Sequence, residues 1–370
     1  MDVVENNNKD IEKLTDKVNE LRVKVRNDLD RFRQIKRSAA FNKNRFLENE
    51  ILTEEDIKGL CSRIKRRKHA DEEDLIKLGN AFFQSENNIS AFIKTTGAIK
   101  VLIKEFIGKD RRLLAAQCLC NLSLGCEAAC SKIAIFGGCY LNIYLRNLKD
   151  FNLVKVSLWI TQNLASTCHK ALDILMSQEV LSNCLFIIND SGDAEIRHKG
   201  IILLDIIIEK SWNKIGIDEK ETVIKSLFNY IIKNNSDYMA LQAFHRTLDS
   251  NAWPLNVEES QKLTSLLTFN LLKFNNDSND TLIYFSIKIL SKLFNVSLEY
   301  LSQFLLLFVQ DDKKLSNIIN ESFKLPKFYS IGKELFTFAA SIYQTEHAVV
   351  IDYLNYDNLE VNLNIPKIFE

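Results

Sequence analysis

Proline is nearly missing from this chain of 370 residues, with three in all, and glycine is scarce at eleven. So few breakers leave long helices joined by short polar turns as the least costly arrangement. Sustained alternation of apolar and polar residues at period two is missing too, which argues against a sheet protein. No apolar run is long enough to cross a bilayer, since Gly200–Ile208 is interrupted by Asp205 and Tyr300–Val309 is too short. The polar start, MDVVENNNKDIEKL, has no apolar stretch of the secretory kind, so the expected setting is cytoplasmic and nuclear.

The eight cysteines follow no disulfide spacing, and Cys118, Cys120 and Cys184 fall inside apolar helical stretches, which suits reduced thiols. Signals for chemistry are equally thin. No Gly-rich phosphate loop occurs. Cys168 and His169 are adjacent, and neighbours on a helix do not face each other. His69, His198, His245 and His347 are scattered, with no acid beside them. Cys126 and Cys130 share a helical spacing that a metal could use, but Cys118 and Cys120 fall on different faces. The expectation is no catalytic residue, no metal, no cofactor and no small-molecule substrate.

What the chain does have is a repeat. In Asp150 to Thr167, Trp159 and Asn163 stand four apart and so share one helical face. Forty-two residues earlier Gln117 and Asn121 hold the same two places, and forty-two later Ile201 and Asp205 do. The turns ahead of the preceding helices recur as well, with Gly97, Gly138 and Glu179 spaced by 41. Small residues, Ala116 and Gly200, stand where helices approach closely, and Ala243 and Ser286 follow Gly200 at steps of 43. A period in the low forties is that of armadillo or HEAT repeats. The expected fold is all-α, a right-handed armadillo-type superhelical solenoid of six or seven repeats over residues 51–350. A polar leader and basic arm, 1–50, precede it and a tail, 351–370, follows.

Charge is balanced in total but not in place. Between Arg22 and Arg45 nine Lys or Arg stand against Asp28 and Asp30, so this stretch carries +7 and the remainder −7. Such an arm suits an acidic partner, or folds back on its own acidic body. A second basic run, Arg63 to Lys68, is followed at once by Asp71-Glu72-Glu73-Asp74. It reads either as a localisation-like peptide or as a charged connection neutralised by those acids.

Phe32-Arg33-Gln34-Ile35-Lys36-Arg37 and Phe41-Asn42-Lys43-Asn44-Arg45 resemble the importin-β-binding segment of the importin-α family, with Gln34 and Asn44 replacing basic residues. Leu52 to Leu60 then resembles the acidic lead-in helix before that family's first repeat, and the repeats bearing Asn121, Asn163 and Asp205 follow in order. The resemblance spans about residues 25 to 210. It implies an import adaptor in which Arg31, Arg33, Lys36, Arg37, Lys43 and Arg45 contact an importin-β-type carrier. Trp159, Asn163, Gln117, Asn121 and Asp205 would line a groove for basic cargo peptides, and Lys65, Arg66, Arg67 and Lys68 would compete for it as an autoinhibitory run. In such a groove an Asn amide offers a donor and an acceptor to an extended backbone, while a Trp face packs a lysine stem and attracts its charge.

The departures from the family pattern weaken that groove. Gln117 replaces one aromatic, Ile201 and Asp205 replace a whole pair, and Thr167 stands where the resemblance places an acid for the key lysine. With its short length and eroded ladder, the chain more resembles the divergent importin-α-like branch of transmembrane and coiled-coil domain proteins. Two readings stay open beside it: an armadillo scaffold binding one dedicated protein partner with no transport role, and Trp159 as a core aromatic with Asn163 bonding locally. Nucleic-acid binding by the arm ranks last, because only Phe32 and Phe41 interleave its charges.

Overall fold

A computed structural model describes residues 51–248, 253–272 and 280–296. The expectations for the arm (Arg31, Arg33, Lys36, Arg37, Lys43, Arg45), for the tail 351–370 and for repeats beyond residue 296 lie outside these residues.

Within them the chain is a succession of helices. The first repeat has two, α1 (Glu54–Arg67) and α2 (Glu72–Gln84). The second has three, α3 (Glu86–Lys94), α4 (Ala98–Ile107) and α5 (Arg112–Leu122). The third is α6 (Glu127–Arg146) and α7 (Phe151–Thr167), and the fourth α8 (His169–Ser177), α9 (Val180–Asp190) and α10 (Ala194–Ser211). A short 3-10 turn (Trp212–Lys214) leads into α11 (Ile217–Lys233) and α12 (Tyr238–Thr247), and α13 (Val257–Leu272) and α14 (Asp280–Val296) close the described part.

Each repeat packs on the next in two rows. The last helices of the repeats, α2, α5, α7, α10, α12 and α14, lie side by side in chain order, and α1, α4, α6, α9, α11 and α13 form a second row behind them. This is an all-α armadillo-type solenoid, with no strand among the described residues. The rows bury aliphatic and aromatic side chains between them, Phe92, Phe106 and Phe244 being the largest fully enclosed. Each such side chain removed from water contributes about 1.5–3 kcal/mol. Ala116, Ala243 and Ser286 are fully buried, and a Cβ on Gly200 would lie 3.1 Å from both Ile187 and Ile188 of α9. The small residues that mark the period therefore mark the tight crossings within repeats.

Three sequence expectations need correcting. The helix beginning at Glu54 is not a lead-in placed before the repeats. Capped by Thr53 and Asp56, it buries Ile57, Leu60, Cys61 and Ile64 and stands at the head of the second row, against α4. Gly97 and Glu179 do turn the chain through the left-handed region, at φ 88° and 65°, but Gly138 makes no turn. It lies inside the continuous 20-residue α6. Gly137 and Gly138 serve close approach instead: a Cβ on Gly137 would lie 2.7 Å from Ile103, and one on Gly138 would collide with Gln178. Finally, α6 is by length and composition apolar enough to cross a membrane, which a search for unbroken apolar runs passes over. More than half of its apolar window is buried, and it packs against α4, α7, α8 and α9 as a core helix.

Candidate functional site on the last helices of the repeats

The ladder residues come together in register, and they join helices. Asn121 donates its side-chain amide to the carbonyl of Gly79 on α2 at 2.9 Å. Asn163 donates to the Ser123 hydroxyl, just beyond α5, at 2.9 Å. Asp205 accepts from the Gln242 amide of α12 at 2.8 Å and pairs with Arg246 Nε at 3.1 Å. Exposure is 6% for Asn121 and 2% for both Asn163 and Asp205. An unsatisfied polar group at such depth costs about 1–3 kcal/mol, so these bonds hold the row together. The sequence reading pointed all three at a groove; the Asn121 and Asn163 amide nitrogens and the Asp205 carboxylate engage the adjacent repeat.

Gln117 is exposed and Trp159 half-buried, so these two do reach the solvent side of the row. The Trp159 ring already receives a cation from the chain itself. Lys199, on α10, places its ammonium 5.5 Å from the ring centroid. The Lys199 carbonyl accepts from Gln162 at 2.7 Å, which fixes the two helices at this point, and its ammonium lies 3.6 Å from Glu195. Next along the row, Arg246 bridges Asp205 and Glu209, the latter at 3.0 Å. Lys155 pairs with Glu195 at 2.5 Å, and Lys210 donates to the Ser166 carbonyl near the exposed Thr167. The sequence reading missed Lys199 and Arg246. Their signal was available: a cation stands about one period after Trp159 and after Asp205.

Two histidines do have acids beside them, contrary to expectation. His69 Nδ1 lies 2.8 Å from Glu105, which also takes Arg111 at 3.4 Å. His198 Nδ1 lies 2.8 Å from Asp237, whose same oxygen accepts from the Tyr230 hydroxyl at 2.9 Å. These partners are 36 and 39 residues away, one repeat on, so local sequence could not show them. The Asp237 bond raises the pKa of His198 above its usual range, against its burial. Burial opposes ionisation of Asp237, yet the bonds from His198, Tyr230 and the Met239 amide hold its pKa below the usual carboxylate range. His245 goes the other way, pushed down to about 4 by burial and then by Lys292, Lys288 and Arg246.

The run Lys65, Arg66, Arg67 and Lys68 is the last turn of α1 and its cap, not an extended peptide. Lys68 ends the helix at φ 53°, and its carbonyl accepts from Lys104 at 3.2 Å. Arg63 and Arg67 both bind the buried Asp74, which also closes the capping box of α2 with Asp71. The acids after the basic run thus anchor it as folded structure. Presenting it to a groove would require unwinding a capped helix end.

Cys118 and Cys184 are buried and their thiols held protonated by desolvation, while burial pushes Cys130 up to about 12, with Cys168 nearby adding to it. Among the described residues no group of three His, Cys, Asp or Glu could hold a metal ion.

No protein-family model and no curated protein matches the chain. Solved structures do. An engineered protein from the Northeast Structural Genomics Consortium is 15% identical, with 83% of this chain and 72% of that one covered at a TM-score of 0.57. A designed armadillo repeat protein in complex with the peptide (KR)4 is 17% identical, covering 64% of this chain and 99% of its own, at a TM-score of 0.47. Computationally designed armadillo repeat proteins for modular peptide recognition are 15% identical over 63% of this chain and 98% of theirs, with a TM-score of 0.47. At these identities the likeness concerns the fold alone.

Proposed function

We propose that the chain is a non-enzymatic armadillo scaffold that binds an extended segment of a protein partner along its row of last helices. The observation that carries this reading is the side of that row facing away from the second row. There Leu113 and Gln117 are exposed and Trp159 is half-buried, on two successive last helices, α5 and α7. Exposed Gln and apolar side chains beside a Trp face suit an extended backbone with intermittent apolar side chains. The reading is tested by selecting ligands for the full chain from a displayed peptide library. Selected peptides should lose about tenfold or more in affinity on Trp159→Ala, the loss typical of a buried aromatic anchor. Peptides indifferent to Trp159→Ala and Gln117→Lys would overturn the reading.

A second reading is an importin-α-like import adaptor, in the cytoplasm and nucleus, with the basic arm on an importin-β-type carrier and basic cargo peptides at Trp159. What favours it is the half-buried Trp159 beside the exposed Gln117 one repeat earlier, an aromatic face of the kind that attracts a cargo lysine. Its test is capture of an importin-β-type carrier by the full chain. Arg33, Lys36 and Arg37 changed together to Glu should abolish capture, and charge-independent or absent capture would leave the scaffold reading alone.

A further inference from the structure

We infer that Lys199 and Arg246 set the specificity of this face by filling, from within the chain, the places at which a ligand would bring its cations. The partner is then an extended segment carrying neutral side chains at those places. This inference rests on the peptide-binding reading above and specifies the ligand class for the same face. Each half of it has its own geometry. At Trp159 the aromatic face that attracts an ammonium already has Lys199 at 5.5 Å. At the next joint the carboxylates of Asp205 and Glu209 are both taken by Arg246, at 3.1 and 3.0 Å. An incoming lysine would have to displace one of these residues and would meet its charge on the way. An incoming carboxylate would meet Glu195 and Glu209 beside the two cations, so a neutral side chain is what these places accept.

The two residues differ in how firmly they are set. Arg246 is bound to the fold, because Asp205 is almost fully buried beneath it. Lys199 is held through its backbone carbonyl, while its ammonium has the Trp159 ring and Glu195 at 3.6 Å. Replacing its side chain leaves the Gln162 bond in place, so Lys199 is the residue whose removal should change binding without disturbing the repeat.

The test measures anisotropy of labelled (KR)4 and (DE)4 octapeptides on the full chain and on Lys199→Gln, with Arg246→Gln as a second variant followed by thermal melting. Lys199→Gln should bind (KR)4 about fivefold more tightly than the parent and (DE)4 more weakly, the shift that gaining one cation–π contact gives. Arg246→Gln should add to the gain if its melt shows it folded. Equal binding of (KR)4 by the parent and a stably folded Lys199→Gln overturns the inference. If library-selected peptides still depend on Trp159 in that case, the peptide-binding reading stands and only the specificity claim falls. If no peptide depends on Trp159, both fall together.

Discussion

The joint between α5 and α7 and the joint between α10 and α12 occupy equivalent places in the row, and they are built from opposite chemistry. The first is neutral: Asn163 reaches the Ser123 hydroxyl, and one repeat earlier Asn121 reaches the Gly79 carbonyl. The second is ionic: Asp205 and Glu209 grip Arg246, and His198 binds Asp237 at the start of α12. The register position is kept while its charge changes. A single side-chain place can thus be filled by amide or carboxylate, provided the adjacent repeat supplies the matching partner. A neutral joint resists pH and salt, whereas an ionic joint couples the later repeats to both.

The largest effect should come from breaking the ionic joint on one side only. Asp205→Ala leaves Arg246 with one of its two carboxylates and opens space beneath it, and urea denaturation should show a loss of about 3 kcal/mol. Asn163→Ala at the neutral joint should cost less, about 1.5 kcal/mol, by leaving the buried Ser123 hydroxyl without this donor. A ratio near one between the two losses would erase the distinction between the two joints.

The pH response comes next, and it belongs to the ionic side. His198 has a raised folded pKa, so its contribution is fully present below the ordinary value of 6.5 and is lost as pH rises through the folded value. His245 has a folded pKa of about 4, so its contribution is present above 6.5 and is lost as pH falls toward that value. Stability of the later repeats should therefore decline on both sides of mildly acidic pH. His198→Gln should flatten the alkaline limb and, by taking a partner from Asp237, move the acid limb to higher pH, and hydrogen exchange resolved along the chain should place the change at α10–α12 rather than α5–α7. The smallest effect is expected from an ion pair on the solvent side of α7 and α10. Lys155→Ala, which removes the pair with Glu195, should shift the melting free energy by about 0.5 kcal/mol or less.

Much of this architecture was legible in the sequence, for a physical reason. Helix crossings demand small residues at fixed intervals, and Ala116, Gly200, Ala243 and Ser286 announce them without any knowledge of what lies opposite. The direction of Asn163 was not legible. A side chain four residues from Trp159 shares its face, but whether it meets solvent or the next helix depends on how closely that helix packs, and the packing is set by Ser123 and its surroundings forty residues away. The acids beside His69 and His198 were hidden by the same separation. Gly138 misled in another manner, since a glycine that permits a turn and one that permits close approach are the same letter. The basic run at Lys65 was ambiguous until Asp74 was seen to hold Arg63 and Arg67.

The bonds that tie neighbouring repeats share one property with a kinetic consequence. The contacts at Asn121, Asn163, Asp205 and His198 connect residues 42, 40, 37 and 39 apart, and none of them reaches past the adjacent repeat. Loops of that length are cheap to close, and each closure prepares the surface for the next. Folding can then start at any repeat and spread by nearest-neighbour steps, and a weakened joint divides the cooperative unit in two. A ligand lying across both the neutral and the ionic joints would fuse those two units again, which makes the sharpness of the unfolding transition itself a gauge of occupancy.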